Sequence, residues 1–193
     1  MLRRLYNRTL EMASKPHAER ALAGVSFAES SFFPIPPDVL LIPMVIADRL
    51  RAWRFAFVCT AASVLGALAG YLIGAFFFEQ AAQPILSFYG YADKFDEFAE
   101  GYNAWGAWIV LLAGLTPFPF KVVTIASGMT AMNLWQFLLF SIIARAIRFY
   151  AVAGLLYLFG PAVRTFIEKR LGLVFTVGLV TLAAGFASVR YLI

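Results

Sequence analysis

Five ionisable side chains stand in stretches otherwise apolar enough to lie inside a membrane: Glu29, Asp38, Lys121, Arg145 and Arg148. Charge at that depth costs about 3 kcal/mol per group or more, and it is normally turned toward a partner or a wet cavity. Arg145 and Arg148 are three residues apart, so on a helix they share a face. Two guanidiniums and a lysine suit a phosphate group, because arginine presents a planar fork of donors to an oxyanion. Lys121, Arg145 and Arg148 are therefore the candidate substrate-binding residues. Glu29 and Asp38 are the candidates for proton coupling, since burial favours a neutral carboxyl while a neighbouring arginine favours the ionised one. A simpler role for Asp38 and Lys121 is to pair and fasten two segments together. No catalytic residue is expected. Thr116, Thr124 and Ser127 surround one of the breaks described below and can satisfy freed backbone groups there, while Cys59 and His17 have no partners in sequence and no assigned role.

The composition says what must surround such charges. The chain has 193 residues, 62% hydrophobic and 14% charged, against about half apolar and a quarter charged for a soluble domain. The same figures exclude disorder. One cysteine excludes a disulfide framework, and one histidine excludes most zinc and haem sites. Neither a metal nor a cofactor is expected. The net charge is +5, which in a soluble protein would prompt a search for nucleic acid. In a membrane protein its placement reports orientation instead, so no nucleic-acid partner is expected.

A hydrocarbon core about 30 Å thick needs about 20 apolar helical residues. Residues 55–78, 134–159 and 171–189 meet that length and are the expected transmembrane helices. Residues 1–20 form a basic, weakly amphipathic segment suited to an anionic membrane surface. Two further apolar runs are broken by proline clusters. Residues 22–47 contain Pro34, Pro36, Pro37 and Pro43, and residues 104–129 contain Pro117 and Pro119. A straight helix does not carry such clusters, because each ring removes a donor and clashes with the preceding turn. Broken backbone at membrane depth is tolerated only within protein or beside water. Basic residues dominate 1–20, 48–54 and 161–170, and acidic residues dominate the amphipathic connector 79–103. The excess of Lys and Arg on cytoplasmic segments then puts the N-terminus inside the cell and 79–103 outside. Both broken runs must return to the side they entered, as re-entrant hairpins.

The two hairpins also resemble each other. Pro34-Ile-Pro36-Pro-Asp38 aligns with Pro117-Phe-Pro119-Phe-Lys121, and Trp53-Arg54-Phe55 with Trp135-Gln136-Phe137. Each half reads as a hairpin, an interfacial tryptophan and a full span, with one span between them to invert the second half. The expected fold is an all-α integral membrane protein built on an inverted repeat, with residues 21–193 as one transmembrane domain. Inverted repeats with discontinuous helices are a recurrent transporter design. Gly66, Gly70 and Gly74 form a close-packing stripe on the first span, internal or dimeric, and homo-oligomerisation is left open.

The run FAESSFFPIPPD (27–38), with GLTPFPFK (114–121) and TIASG (124–128), resembles the two re-entrant motifs of the DedA family, also called the SNARE-associated or VTT-domain family. That resemblance covers about residues 20–190. It implies an inner-membrane lipid transporter or scramblase; bacterial members are implicated in recycling lipid carriers such as undecaprenyl phosphate or moving phospholipids between leaflets, with proton dependence suggested. Glu29 and Asp38 fall on the family's acidic positions. The family's second motif commonly has an arginine before its proline and another after it. Here Gly114 stands at the first position and Lys121 is the cation nearest the second, so Arg145 and Arg148 are the available substitutes and the chain looks like a divergent subgroup. The expected function is a flippase or scramblase for a phosphate-bearing membrane lipid, proton-coupled through the carboxylates. A small-anion or proton-coupled solute transporter is the alternative, and an intramembrane lipid-phosphate enzyme lacks the histidines or carboxylate cluster it would need.

Overall fold

The computed structural model describes residues 17–33, 35–116 and 118–169, with 161–169 described by backbone. The expected amphipathic N-terminal segment falls almost wholly, and the expected span 171–189 wholly, outside the described residues. All regular structure among them is helical: α1 (Ala18–Ser31), α2 (Asp38–Ala47), α3 (Ala52–Phe77), α4 (Gln83–Phe88), α5 (Ala92–Leu115), α6 (Phe120–Met129) and α7 (Leu134–Lys169). A 3-10 turn, Arg49–Arg51, leads into α3, and a π turn, Phe78–Ala82, joins α3 to α4.

The chain interrupts itself twice in the same way. α1 stops at Phe32 and α2 starts at Asp38; α5 stops at Thr116 and α6 starts at Phe120. Each break coincides with a cluster of prolines, which removes adjacent hydrogen bonds together. Isolated prolines do less. Pro43 is inside α2, and α7 runs through Pro161 to Lys169. One missing N–H costs a single ladder bond, and a helix held by packing absorbs it. The basic segment 161–170 is accordingly the continuation of α7 through residue 169 and not a separate loop. The connector 79–103 is helical for most of its length, and its end is the start of α5, which carries polar residues first and apolar ones later without interruption.

Among the described residues, two helical stretches are long and apolar enough to cross a membrane, Arg49–Phe88 and Leu134–Gly160. Their surroundings fit a bilayer better than water. Phe57, Leu65, Leu72, Phe76, Leu139, Ile147, Leu155 and Leu158 are exposed, while Ser26, Ser30, Ser31, Ser63, Thr124, Ser127, Ser141 and Arg145 are buried. A polar interior wrapped in exposed aliphatic and aromatic side chains is unfavourable in water and favourable in hydrocarbon. The molecule is a helical membrane protein.

α3 is the central post. It packs against α1, α6 and α7, while α7 also contacts α2 and α5. Glycine permits the closest of these approaches. A Cβ on Gly66 would run into the Phe27 carbonyl of α1, on Gly70 into Thr124 Oγ1 and the Ser30 carbonyl, and on Gly74 into the Ile125 carbonyl of α6. From the other side, a Cβ on Gly128 would meet the Tyr71 carbonyl of α3. The glycine stripe thus faces inward, against both broken units, and lets their backbones touch the central helix. Hydroxyls then bridge backbones brought so near: Ser26 Oγ donates to the Cys59 carbonyl at 2.8 Å and Ser31 Oγ to the Gly66 carbonyl at 2.9 Å. At the other end of α3, Trp53 stacks on Tyr150 and meets Tyr157 of α7 at a tilt, and Arg49 lies over the Tyr157 ring while donating to its carbonyl.

Candidate functional site between the two breaks

The end of α1 carries Glu29 and Ser30, the start of α2 carries Asp38, and the middle of α7 carries Arg145 and Arg148. The fold makes two ion pairs from these four charges. Arg145 Nη2 donates to Glu29 Oε2 at 2.7 Å, and Arg148 Nη2 donates to Asp38 Oδ2 at 2.7 Å. The first carboxylate is just before the first break and the second just after it, so one face of α7 clamps both sides of that break.

Each arginine also reaches the second half of the molecule. The Arg145 guanidinium is stacked 4.0 Å from the ring centroid of Phe120, the first residue of α6, and 5.7 Å from that of Phe149. Arg148 Nη1 donates to the Thr116 carbonyl at 3.0 Å, where α5 ends. Both breaks therefore converge on α7. Direct contact between the units reinforces this, since Thr124 Oγ1 of α6 lies 3.0 Å from the Ser30 carbonyl of α1, as well as 2.9 Å from that of Lys121.

The two pairs differ in their surroundings. Arg145 and Glu29 are 1% and 12% exposed, whereas Arg148 and Asp38 are 19% and 21% exposed. Arg145 is enclosed by two aromatic rings and a hydroxyl. Ser30 Oγ lies 3.2 Å from its Nη2 and 3.1 Å from Glu29 Oε2, and shares a 2.6 Å hydrogen bond with Ser63 Oγ of α3. A buried charge is tolerable when its remaining donors and acceptors are satisfied, and this serine pair supplies part of that. Phe32, Phe33 and Ile35 in the first break, Val39 next to Asp38, and Leu115 next to Thr116 are all exposed.

Lys121 is half-buried in the first turn of α6, one residue after Phe120, whose ring carries Arg145. Asp38 takes Arg148 as its ion-pair partner. Ser127 is placed further along α6, where its hydroxyl meets Tyr102 Oη of α5 at 3.0 Å. Ser30, Ser63, Phe120 and Phe149, four residues that contact or support the inner pair, are not marked by charge or by the proline clusters. The available signal was the group Ser26, Ser30 and Ser31, hydroxyls at helical spacing in an apolar run.

A helical membrane protein with two arginine–carboxylate pairs set between two broken helices is the class that these features define. The chain belongs to the VTT-domain family, that is, the DedA family: the VTT domain matches residues 35–158, from just before α2 to the part of α7 beyond both arginines. Glu29 and α1 precede the matched residues. The chain is 38% identical over 151 residues to an uncharacterized protein of Haemophilus influenzae, covering 78% of each. It is 39% identical over 151 residues to an uncharacterized protein of Histophilus somni, again covering 78% of each. No solved structure matches it.

Proposed function

We propose that the protein is a lipid transporter of the inner membrane, a flippase or scramblase that passes a phosphate-bearing headgroup between the two breaks while the acyl chains stay in the bilayer. The observation that carries this reading is the position of the Arg148–Asp38 pair. It is a partly open polar site at two breaks where Phe32, Phe33 and Ile35, with Val39 next to Asp38 and Leu115 next to Thr116, are exposed. A lipid matches such a rim, with its anionic head on the guanidinium and its tails on the apolar side chains. A small soluble anion has no use for that rim. Arg148 and Lys121 would hold the headgroup, with Arg145 behind them. Proton uptake by Asp38, the carboxylate of the more open pair, would release Arg148 and serve as the coupling step.

In this reading the two helix–break–helix units are re-entrant hairpins of an inverted repeat, with the N-terminus cytoplasmic, and transport comes from one unit rocking against the other on α3. The chemistry is movement without covalent change, so no enzymatic step is assigned. The test is headgroup movement in proteoliposomes, read from fluorescent phospholipid reaching the outer leaflet. Wild-type protein is expected to accelerate it, and the combined Glu29→Gln, Asp38→Asn, Lys121→Met variant to abolish it. Movement unaffected by the triple variant would sink the assignment.

A further inference from the structure

Arg148 is held in this structure by one of the protein's own carboxylates. Its Nη2 donates to Asp38 Oδ2 at 2.7 Å, while its Nη1 donates to the Thr116 backbone carbonyl at 3.0 Å. The second anchor is peptide backbone, so it remains when Asp38 moves away. Asp38 uses one oxygen on the guanidinium, and its other oxygen, Oδ1, is buried without a hydrogen-bond partner. A phosphate-type oxyanion can engage the same fork with two oxygens. The inner pair has no such freedom: Arg145 is sealed beneath Phe120 and Phe149, and separating it from Glu29 leaves a guanidinium stranded in an apolar enclosure.

We propose that Asp38 is a built-in competitor, occupying on Arg148 the place of the incoming oxyanion, displaced on binding and returning to expel it. This rests on the reading of Arg148 as the headgroup contact and adds what regulates it. A site blocked by its own side chain binds more weakly by the fraction of time it is free. If Asp38 holds Arg148 for about nine-tenths of the time, the apparent affinity falls about tenfold. Removing the Asp38 charge should therefore tighten binding. A residue that helps to hold the anion would do the opposite.

The test is equilibrium binding of fluorescent phosphatidic acid to the purified full chain in phosphatidylcholine nanodiscs, with inorganic phosphate as the soluble arm. D38N is expected to bind phosphatidic acid about tenfold more tightly than wild type, D38E to stay within about twofold of it, and R148Q to bind in neither background. A gain for phosphatidic acid alone identifies a lipid as the source of the oxyanion. A gain for inorganic phosphate as well shows that soluble anions reach Arg148 too, and both results uphold the competitor. Folded D38N with equal or weaker binding overturns it. Where D38N does not fold, D38S takes its place under the same criterion, serine being well suited to a helix start. Tighter binding by D38N with no lipid movement by wild type keeps this inference and removes the transport reading. Lipid movement without tighter binding does the reverse.

Discussion

The Arg145–Glu29 and Arg148–Asp38 pairs have the same chemistry and the same 2.7 Å separation, yet the protein treats them differently. The first is sealed between α1, α6 and α7, with a serine and two aromatic rings around the guanidinium, whose Nε is buried without a hydrogen-bond partner. The second is at the edge, with a backbone carbonyl on one side and an open flank on the other. Distance does not tell a brace from an exchangeable contact. What distinguishes them is how many other groups would be left unsatisfied when the pair opens.

The largest expected effect follows from that count. Removing one member of the sealed pair, by Arg145→Met or Glu29→Gln, should lower stability by about 3–5 kcal/mol, because the remaining partner is left buried and uncompensated. Replacing both with apolar residues of similar volume, Arg145→Met with Glu29→Leu, should recover most of that loss. Denaturant titration in detergent micelles checks both. Double variants no more stable than the singles would show that the pair contributes attraction beyond its own desolvation.

The second effect reaches the same pair through the backbone. Gly70 faces the Thr124 hydroxyl and the Ser30 carbonyl, one residue from Glu29. Gly70→Ala puts a methyl group into this contact and must push α1 or α6 away from α3. A cost of about 1–3 kcal/mol is expected, as for overpacking in a tight core. The loosened wall should expose Arg145 to solvent while leaving the Arg148 site unaltered. Thermal unfolding with and without the substitution, together with hydrogen exchange around α1, separates these outcomes. Equal changes at both pairs would contradict the distinction between them.

The residues of both pairs were legible in the sequence, but their division of labour was not. Ionisable groups in apolar runs are conspicuous whatever the fold, and the proline clusters marked the two breaks because adjacent missing donors cannot be absorbed. Pro43 stands in the same run as the first cluster, yet neither it nor Pro161 breaks its helix, since a single proline costs only one bond. Which carboxylate meets which arginine depends on how α7 docks against the first half, and no local pattern encodes that. Arg145 and Arg148 are separated by three residues, which turns them about 60° apart around α7. That rotation carries one guanidinium into the interface and leaves the other at its rim. Ser63, about half the chain away from Arg145, could be connected to it only by the fold.

A smaller effect on stability is expected at the outer pair. Arg148→Gln removes a charge that is partly open to its surroundings, and Asp38 can turn outward when left alone. The loss should be about 1 kcal/mol, nearer that of an exposed pair than of a buried one. Lipid movement, in contrast, should disappear. A variant that keeps its unfolding midpoint and loses transport would mark Arg148 as a functional contact. A variant that loses several kcal/mol would make the outer pair a second brace and dissolve the comparison.

The smallest effect belongs to a third arginine–carboxylate pair, which calibrates the other two. Arg54 Nη2 lies 2.8 Å from Glu19 Oε2, with side chains 65% and 22% exposed. Arg54 donates through Nε as well, at 3.1 Å, so this pair has more hydrogen bonds between its members than either interior pair. By contact geometry alone it would rank as the strongest. In solvent, however, the Coulomb gain is screened and the ordering of two long side chains opposes it, so Glu19→Gln should cost between about 0 and 1 kcal/mol. Added salt should shrink even that difference, since exposed charges are screened over about 10 Å at 0.1 M. The measurement is the unfolding midpoint of Glu19→Gln against wild type at low and high salt. A cost that rivalled Glu29→Gln, or that ignored salt, would mean that burial does not order the three pairs, and the assignment of one as brace and one as exchangeable contact would have to rest on other grounds.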